Sequence, residues 1–298
     1  MQATCNVKLK ELFQQNRTIF SYELFPPKTE KGEQALFRHV ETLCQYKPDF
    51  ITCTYGAGGS TRGKTLEIIG RIKEQYGIPV ASHLTLVGST VDQLRDYLRQ
   101  AKEQKTDYIV ALRGDPPQGE SEFHQVPGGL RYANELVELI RDEFPNDFSV
   151  AVAGYPEKHQ EAPSMAVDLE NLKRKVDAGA DVIVTQLFYD NADFFRFRDE
   201  CEKMGIQVPV VPGILPVTNL GQIQRITSLC GSKLPKSFVD NLSRNEDPDH
   251  QFQVGVEFAT QQIAELLNNS VPGIHFYVLN KSQATIETLR NVSLISED

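Results

Sequence analysis

Two carboxylates and a series of polar side chains stand at the ends of apolar runs, where packing alone would favour Val, Ile or Leu. Ser21-Tyr22-Glu23-Leu24-Phe25-Pro26-Pro27 carries one carboxylate, and Leu112-Arg113-Gly114-Asp115-Pro116-Pro117 carries the other. Thr54-Tyr55-Gly56-Ala57-Gly58-Gly59-Ser60, His83 with Thr85, Tyr155, Gln186, and Tyr277 ahead of Asn280 and Lys281 complete the series. A carboxylate on an inner apolar wall has its charged form disfavoured by desolvation, which suits a general acid working near neutral pH. A second carboxylate in a more polar setting can stay ionised and hold a cation or an N–H-rich heterocycle. The same pairing fits glycoside hydrolysis, and the spacing in sequence does not separate the two readings. Taken singly, each residue has a plain structural explanation. Glu23 suits an interior salt bridge, His83 a hydrogen-bonded core position, Asp115 a turn, and Gln186 a satisfied amide. The six histidines form no HxH or HxxxH pair, which disfavours a metal, and 56–59 lacks the Lys-Ser/Thr of a phosphate-binding loop.

Such distant residues converge only if a frame gathers their segments. Eight short β-branched and aromatic runs, at 18–25, 49–55, 79–86, 108–114, 148–155, 182–188, 208–215 and 274–279, read as strands buried on both faces. Amphipathic stretches at 66–76, 91–104, 132–143, 166–177, 191–204 and 219–229 read as the helices between them. No GxGxxG follows the first strand, which removes the usual mark of an open dinucleotide-binding sheet. The expectation is an α/β protein, a (β/α)8 TIM barrel forming one domain over 1–298. A polar, acidic stretch at 235–255, ahead of a helix at 256–268, adds a helical excursion before the last strand. In such a barrel the polar strand ends, drawn from seven strands, meet on one rim.

The bulk properties agree. A chain of 298 residues suits one barrel, which takes about 250, although two domains of about 150 fit length alone. The net charge of −9 argues against a nucleic-acid or anionic-membrane surface and leaves room for a local phosphate pocket. Cys5, Cys44, Cys53, Cys201 and Cys230 are odd in number and far apart, so a reducing compartment is expected. The opening is polar, and no apolar run approaches the ~20 residues of a membrane span, so neither a secretory signal nor a span is expected. The cytoplasm is the expected location.

The motifs carry a family resemblance. They are Phe20-Ser21-Tyr22-Glu23-Leu24-Phe25-Pro26-Pro27-Lys28-Thr29, Thr54-Tyr55-Gly56-Ala57, His83-Leu84-Thr85 and Ala111-Leu112-Arg113-Gly114-Asp115. Ala153-Gly154-Tyr155-Pro156-Glu157-Lys158-His159, Asn171-Leu172-Lys173-Arg174-Lys175-Val176-Asp177-Ala178-Gly179-Ala180 and Thr185-Gln186-Leu187-Phe188 follow. Pro212-Gly213-Ile214-Leu215-Pro216 and His275-Phe276-Tyr277 complete nine segments in order. Along nearly its whole length the chain resembles the bacterial-type methylenetetrahydrofolate reductases.

That resemblance implies a barrel holding FAD non-covalently. NADH or NADPH reduces the flavin and leaves. 5,10-Methylenetetrahydrofolate then enters the same face and takes hydride from flavin N5, giving 5-methyltetrahydrofolate for methionine synthesis. It implies Glu23 as the acid that protonates N10, and Asp115 as an anion beside flavin and pterin that stabilises the 5-iminium cation. It assigns Gln186, Gln222 and Lys281 to the folate, with Lys281 where many relatives carry arginine; lysine keeps the charge without the bidentate fork. Thr54, Tyr55, Ala57 and His83 fall to the flavin and nicotinamide. Arg113, Gly114, Tyr132, Ala133, Tyr155, His159, Ala162, Asp168, Asn171, Arg174 and Lys175 fall to the rest of FAD, with Arg174 and Lys175 neutralising its diphosphate. A homo-oligomer and no inhibition by S-adenosylmethionine are further implications. Two competitors stand beside this reading. A proline dehydrogenase-like barrel flavoenzyme would need arginines to clamp an amino-acid carboxylate, and a non-catalytic folate- or flavin-binding protein would have no use for a desolvated acid.

Overall fold

Short apolar runs pair edge to edge, and the amphipathic stretches between them cover the outside of the resulting sheet. The computed structural model describes residues 7–54, 62–116 and 123–295. The chain begins with α1 (Leu9–Leu12), β1 (Ile19–Leu24), α2 (Glu30–Cys44), β2 (Phe50–Cys53), α3 (Arg62–Tyr76), β3 (Val80–Thr85) and α4 (Val91–Glu103). It continues with β4 (Tyr108–Leu112), α5 (Ala133–Glu143), β5 (Ser149–Gly154), α6 (Met165–Asp177), β6 (Val182–Thr185) and α7 (Asn191–Lys203). Last come β7 (Val210–Val211), β8 (Gly213–Ile214), α8 (Leu220–Cys230), α9 (Lys236–Leu242), α10 (Pro248–Asn268), β9 (Gly273–Tyr277) and α11 (Gln283–Asn291).

All ladders are parallel, in the order β7-β6-β5-β4-β3-β2-β1-β9-β8. The two ends of that order, β7 and β8, are separated in the chain only by Pro212. They form a single seventh position that pairs with β6 through its first half and with β9 through its second. The expected strand at 208–215 is therefore split, because Pro212 has no N–H to give to a ladder. Its carbonyl still accepts the His275 N–H at 3.0 Å, so the chain closes the ring into a (β/α)8-type barrel.

Register decides which side chains face inward. Ser21 lies beside His275, and Glu23 beside Tyr277 and Thr52. On the far side His83 pairs with Val110, which pairs with Ala151. The lower barrel interior is apolar: Ile19, Phe50, Ala81, Tyr108, Val110, Ala151, Val182 and Val211 pack with Leu9 and Leu12 of α1, which plugs the bottom. The plug is fastened by the Leu9 N–H donating to Ser149 Oγ at 3.1 Å and the Tyr108 hydroxyl donating to Val7 O at 2.6 Å. The outward faces of the strands meet the helices in a second, larger apolar shell. Polar inward residues are thus concentrated near the C-terminal mouth.

The helices start where side chains can satisfy free N–H groups. Thr90 and Gln93 form a capping box on α4, and Thr29, Ser164 and Asn219 cap α2, α6 and α8. The excursion before the last strand is present, but its second helix begins at Pro248 rather than at 256. A proline at the first helical position is pre-set for helix, and this outweighs the polar composition that made 248–255 read as loop.

Candidate active site at the C-terminal mouth

Glu23 sits on β1 at the level where the barrel interior changes from apolar to polar. It is 7% exposed, and two imidazoles converge on the same carboxylate oxygen. Glu23 Oε2 lies 3.1 Å from Nε2 of His83 on β3 and 3.5 Å from Nε2 of His275 on β9. His275 Nδ1 is in turn hydrogen-bonded to Ser21 Oγ at 2.7 Å. A carboxylate requires N–H groups facing it, so in a neutral His275 ring Nδ1 accepts the Ser21 hydroxyl proton. Thr52, next to Glu23 in the β1–β2 register, has a buried hydroxyl with no hydrogen-bond partner. The result is a buried chain, Ser21–His275–Glu23–His83, drawn from β9, β1 and β3.

The electrostatics correct the expectation from sequence. Burial alone raises the Glu23 pKa, but His83, followed by His275, attracts the charged form more strongly and brings it from 4.5 down to about 2. In the unliganded site Glu23 is an ionised member of a proton-sharing cluster, not an isolated raised-pKa acid. His83 was anticipated as a flavin-side residue; Ser21 and His275 were not singled out for chemistry. Their signal was the period of two, Ser21/Glu23 on one run and His275/Tyr277 on another, which points all four inward.

Against Tyr277, the register partner of Glu23 on β9, lies a narrow cleft partly open to solvent. It brings Gln222 and Lys281 together with Asn219, Ile226 and Tyr277. Gln222 is fixed in the first turn of α8, its N–H donating to Asn219 Oδ1 at 2.8 Å. Tyr277 reaches across β8, its hydroxyl donating to Thr185 O at 2.7 Å. Gly213 permits this crossing: a Cβ there would lie 2.2 Å from Thr185 O and 2.7 Å from the Tyr277 ring. Gln186, just after β6, is half-buried and turns its Oε1 back to accept the Leu187 N–H at 2.9 Å.

The opposite side of the mouth is charged and aromatic. Asp115 is exposed in the loop after β4; Glu161 chiefly raises the Arg113 pKa and burial the Tyr155 pKa, and the Asp115 charge adds to both. Gly114 turns that loop with φ +89°, and a Cβ there would lie 2.6 Å from Val87 Cγ1. Arg113 forks onto Glu161, with both contacts at 2.6 Å. Tyr155 stands edge-on to His159, ring centroids 4.7 Å apart. The His159 N–H donates to Asp168 Oδ2 at 2.8 Å, and the Ala162 N–H donates to His159 O at 3.0 Å. Lys175 lies under the Tyr155 ring, and its ammonium donates to Ala153 O at 2.5 Å. Burial pulls its pKa down to about 8.

Arg174 and Lys175, expected to act together, diverge. Successive helical residues point about 100° apart. Lys175 turns inward, whereas Arg174 is exposed, donates to Asn171 Oδ1 at 3.0 Å and lines a surface groove with Asn134, Glu138 and Arg141. Tyr132, exposed, precedes Ala133 at the start of α5. The half-buried Thr54 follows β2, its N–H donating to Leu24 O at 3.0 Å. Tyr55 and Ala57 lie outside the described residues. Among the described residues no cluster of His, Cys, Asp and Glu has the arrangement of a metal site.

A family model described as methylenetetrahydrofolate reductase matches residues 8–293. Methylenetetrahydrofolate reductase (NADH) 1 of Arabidopsis thaliana is 39% identical over 300 residues, covering 97% of this chain and 51% of that protein. The chain therefore spans about half the length of the plant relatives it matches. The 5,10-methylenetetrahydrofolate reductase of Escherichia coli (strain K12) is 39% identical over 272 residues, covering 90% of this chain and 88% of that one. Among solved structures, a Clostridium thermocellum protein described as binding two copies of 5-methyl-5,6,7,8-tetrahydrofolic acid superposes with a TM-score of 0.62 at 14% identity. It covers 97% of this chain and 99% of its own, a likeness of fold.

Replacing both His83 and His275 by Asn removes the imidazole interactions that oppose burial, so the Glu23 carboxyl should move above its ordinary range. Because the folded-state value lies below the ordinary 4.5, the wild-type contribution to stability is full above pH 4.5 and is lost as pH falls toward 2. Isotope-edited infrared titration and acid unfolding read both effects. A double variant that titrates like the wild type would refute the cluster.

Proposed function

The chain belongs to the methylenetetrahydrofolate reductase family, and on that premise we propose that it reduces 5,10-methylenetetrahydrofolate to 5-methyltetrahydrofolate, using NADH or NADPH and a non-covalently held FAD. The observation that carries the proposal is Glu23, a buried carboxylate between two imidazoles, beside a cleft that joins Gln222 to Lys281. The product's methyl group would serve methionine formation.

FAD, when bound, would supply two-electron transfer between the nicotinamide and the folate. Lys175 supports the fit of its diphosphate: an inward-turned, desolvated ammonium that donates to the Ala153 carbonyl is stabilised by an anion brought alongside. Tyr155, His159 and Asp168 form the ordered wall around it. Arg113 is held by Glu161 and would need to exchange that partner to meet a phosphate.

This chain's own residues then do three things. Glu23 delivers a proton to N10 as the methylene bridge opens from N10, leaving the 5-iminium cation. The proton returns to Glu23 through the imidazoles that share its oxygen, so the acid is the cluster rather than one side chain. Asp115 places negative charge where the cation forms, and Gln186 offers an amide to the pterin edge. Lys281 and Gln222 hold the glutamate end of the folate, the lysine by charge rather than by a planar fork.

Glu23→Gln keeps the shape and removes the carboxylate that passes the proton on. Stopped-flow measurement should show flavin reduction by NADH within a few-fold of wild type and folate reduction slowed by roughly 10²–10⁴-fold. Full-rate folate reduction by this variant would end the proposal. A second expectation concerns Lys175. With its free-state pKa near 8, an arriving diphosphate favours the protonated form, so FAD affinity should fall as pH rises above about 8. Lys175→Met should bind FAD more weakly at pH 7 and show no such fall, read by fluorescence titration of the flavin-free protein.

A further inference from the structure

Phe25 is one of three large hydrophobic residues exposed among the described residues, with Tyr132 and Leu229, and it alone directly follows the strand that carries the acid. Its placement is fixed from both sides. Glu23 O accepts the Val278 N–H at 3.4 Å, whereas Leu24 O accepts the Thr54 N–H at 3.0 Å, so successive residues of β1 face alternate neighbours. Phe25 continues the alternation. Its N–H donates to Asn280 Oδ1 at 2.9 Å, and its carbonyl accepts from Asn280 Nδ2 at 2.7 Å. The Asn280 side chain thus replaces a ladder partner and extends the β1–β9 pairing by one step. Those bonds carry the strand alternation past Leu24, and on it Phe25 takes the parity of Ser21 and Glu23, two residues or about 6.6 Å nearer the mouth. It is 42% exposed there.

The turn that supplies Asn280 is strained. Leu279 and Asn280 have φ of +46° and +56°, and the Lys281 N–H donates to Val278 O at 2.8 Å, closing a two-residue left-handed turn. Leucine rarely adopts this conformation, and such strain persists only where surrounding contacts over-determine it. Here the over-determining contact is the double hydrogen bond to Phe25. One short segment therefore seats Phe25 and delivers Lys281 to the cleft.

We propose that Phe25 is a specificity residue that packs on the p-aminobenzoyl ring of the folate, with Asn280 as its positioning residue. This placement of the ring depends on Glu23 being the donor to N10. N10 is bonded directly to that ring, and the ring leads to the glutamate. An acid, an aromatic face and a cation in the order Glu23, Phe25, Lys281 match the order N10, aryl ring, glutamate along the ligand.

Three ligands separate the assignments on the FAD-loaded enzyme: 5-methyltetrahydrofolate, 5-methyltetrahydropteroate, which lacks the glutamate, and 5-methyltetrahydropterin, which lacks the aryl ring as well. Calorimetric titration of Phe25→Ala should show about tenfold weaker binding of the first two and less than twofold change for the third. Phe25→Trp should restore the wild-type values, and Asn280→Ala should reproduce the aryl-dependent loss. Lys281→Met should weaken only the ligand that carries glutamate. Equal losses for all three ligands in Phe25→Ala, or none, would overturn the proposal. If the wild type binds none of the three, the proposed function fails, not the placement of Phe25.

Discussion

A carboxylate inside a barrel has to be met by positive charge or hydrogen-bond donors, because leaving it unpaired costs several kcal/mol. Glu23 meets this requirement through His83 and His275, and the arrangement of the strands follows from it. The two histidines are almost two hundred residues apart in the chain. Only a sheet ordered β9-β1-β2-β3 places them on either side of one β1 side chain. Ser21 then finds His275 beside it in the register and completes the chain of hydrogen bonds.

The same constraint explains how the mouth is divided. Below Glu23 the interior is apolar and sealed by α1, so charge in the barrel is confined to the top. On the β8–β9 side, the break at Pro212 and the absence of a side chain at Gly213 let Tyr277 cross to Thr185, forming one wall of the cleft that holds Gln222 and Lys281. On the β4–β6 side, Tyr155, His159, Asp168 and Lys175 form a wall of a different character, with a desolvated ammonium at its base. An acid between two differently built walls suits a site that receives two unlike reactants in turn.

Much of the fold was legible because buried parallel strands read as continuous apolar runs, and every run expected as a strand contains one. The interruption at Pro212 was visible in principle, since proline cannot donate to a ladder. The early start of α10 was hidden by its polar first turns, and α2 and α11 were not among the helices named, their apolar faces being diluted by charged and polar residues. The site was less legible. Periodicity put Glu23 on a wall but could not show that two histidines, distant in sequence, would reverse the effect of burial on its pKa. Adjacency also suggested that Arg174 and Lys175 act as a pair, whereas helix geometry sends one outward and the other under Tyr155. The clamp of Asn280 on Phe25 joins positions 255 residues apart, and no local pattern announces it.

The central claim is that one face of this barrel passes two electrons from a nicotinamide to a folate through a bound flavin. Anaerobic visible spectroscopy of the FAD-loaded protein tests it most directly. The account predicts that NADH or NADPH bleaches the flavin absorbance and that 5,10-methylenetetrahydrofolate, added afterwards, restores it with formation of 5-methyltetrahydrofolate. A protein that takes up no FAD, or a bleached flavin that the folate leaves unchanged, would contradict it.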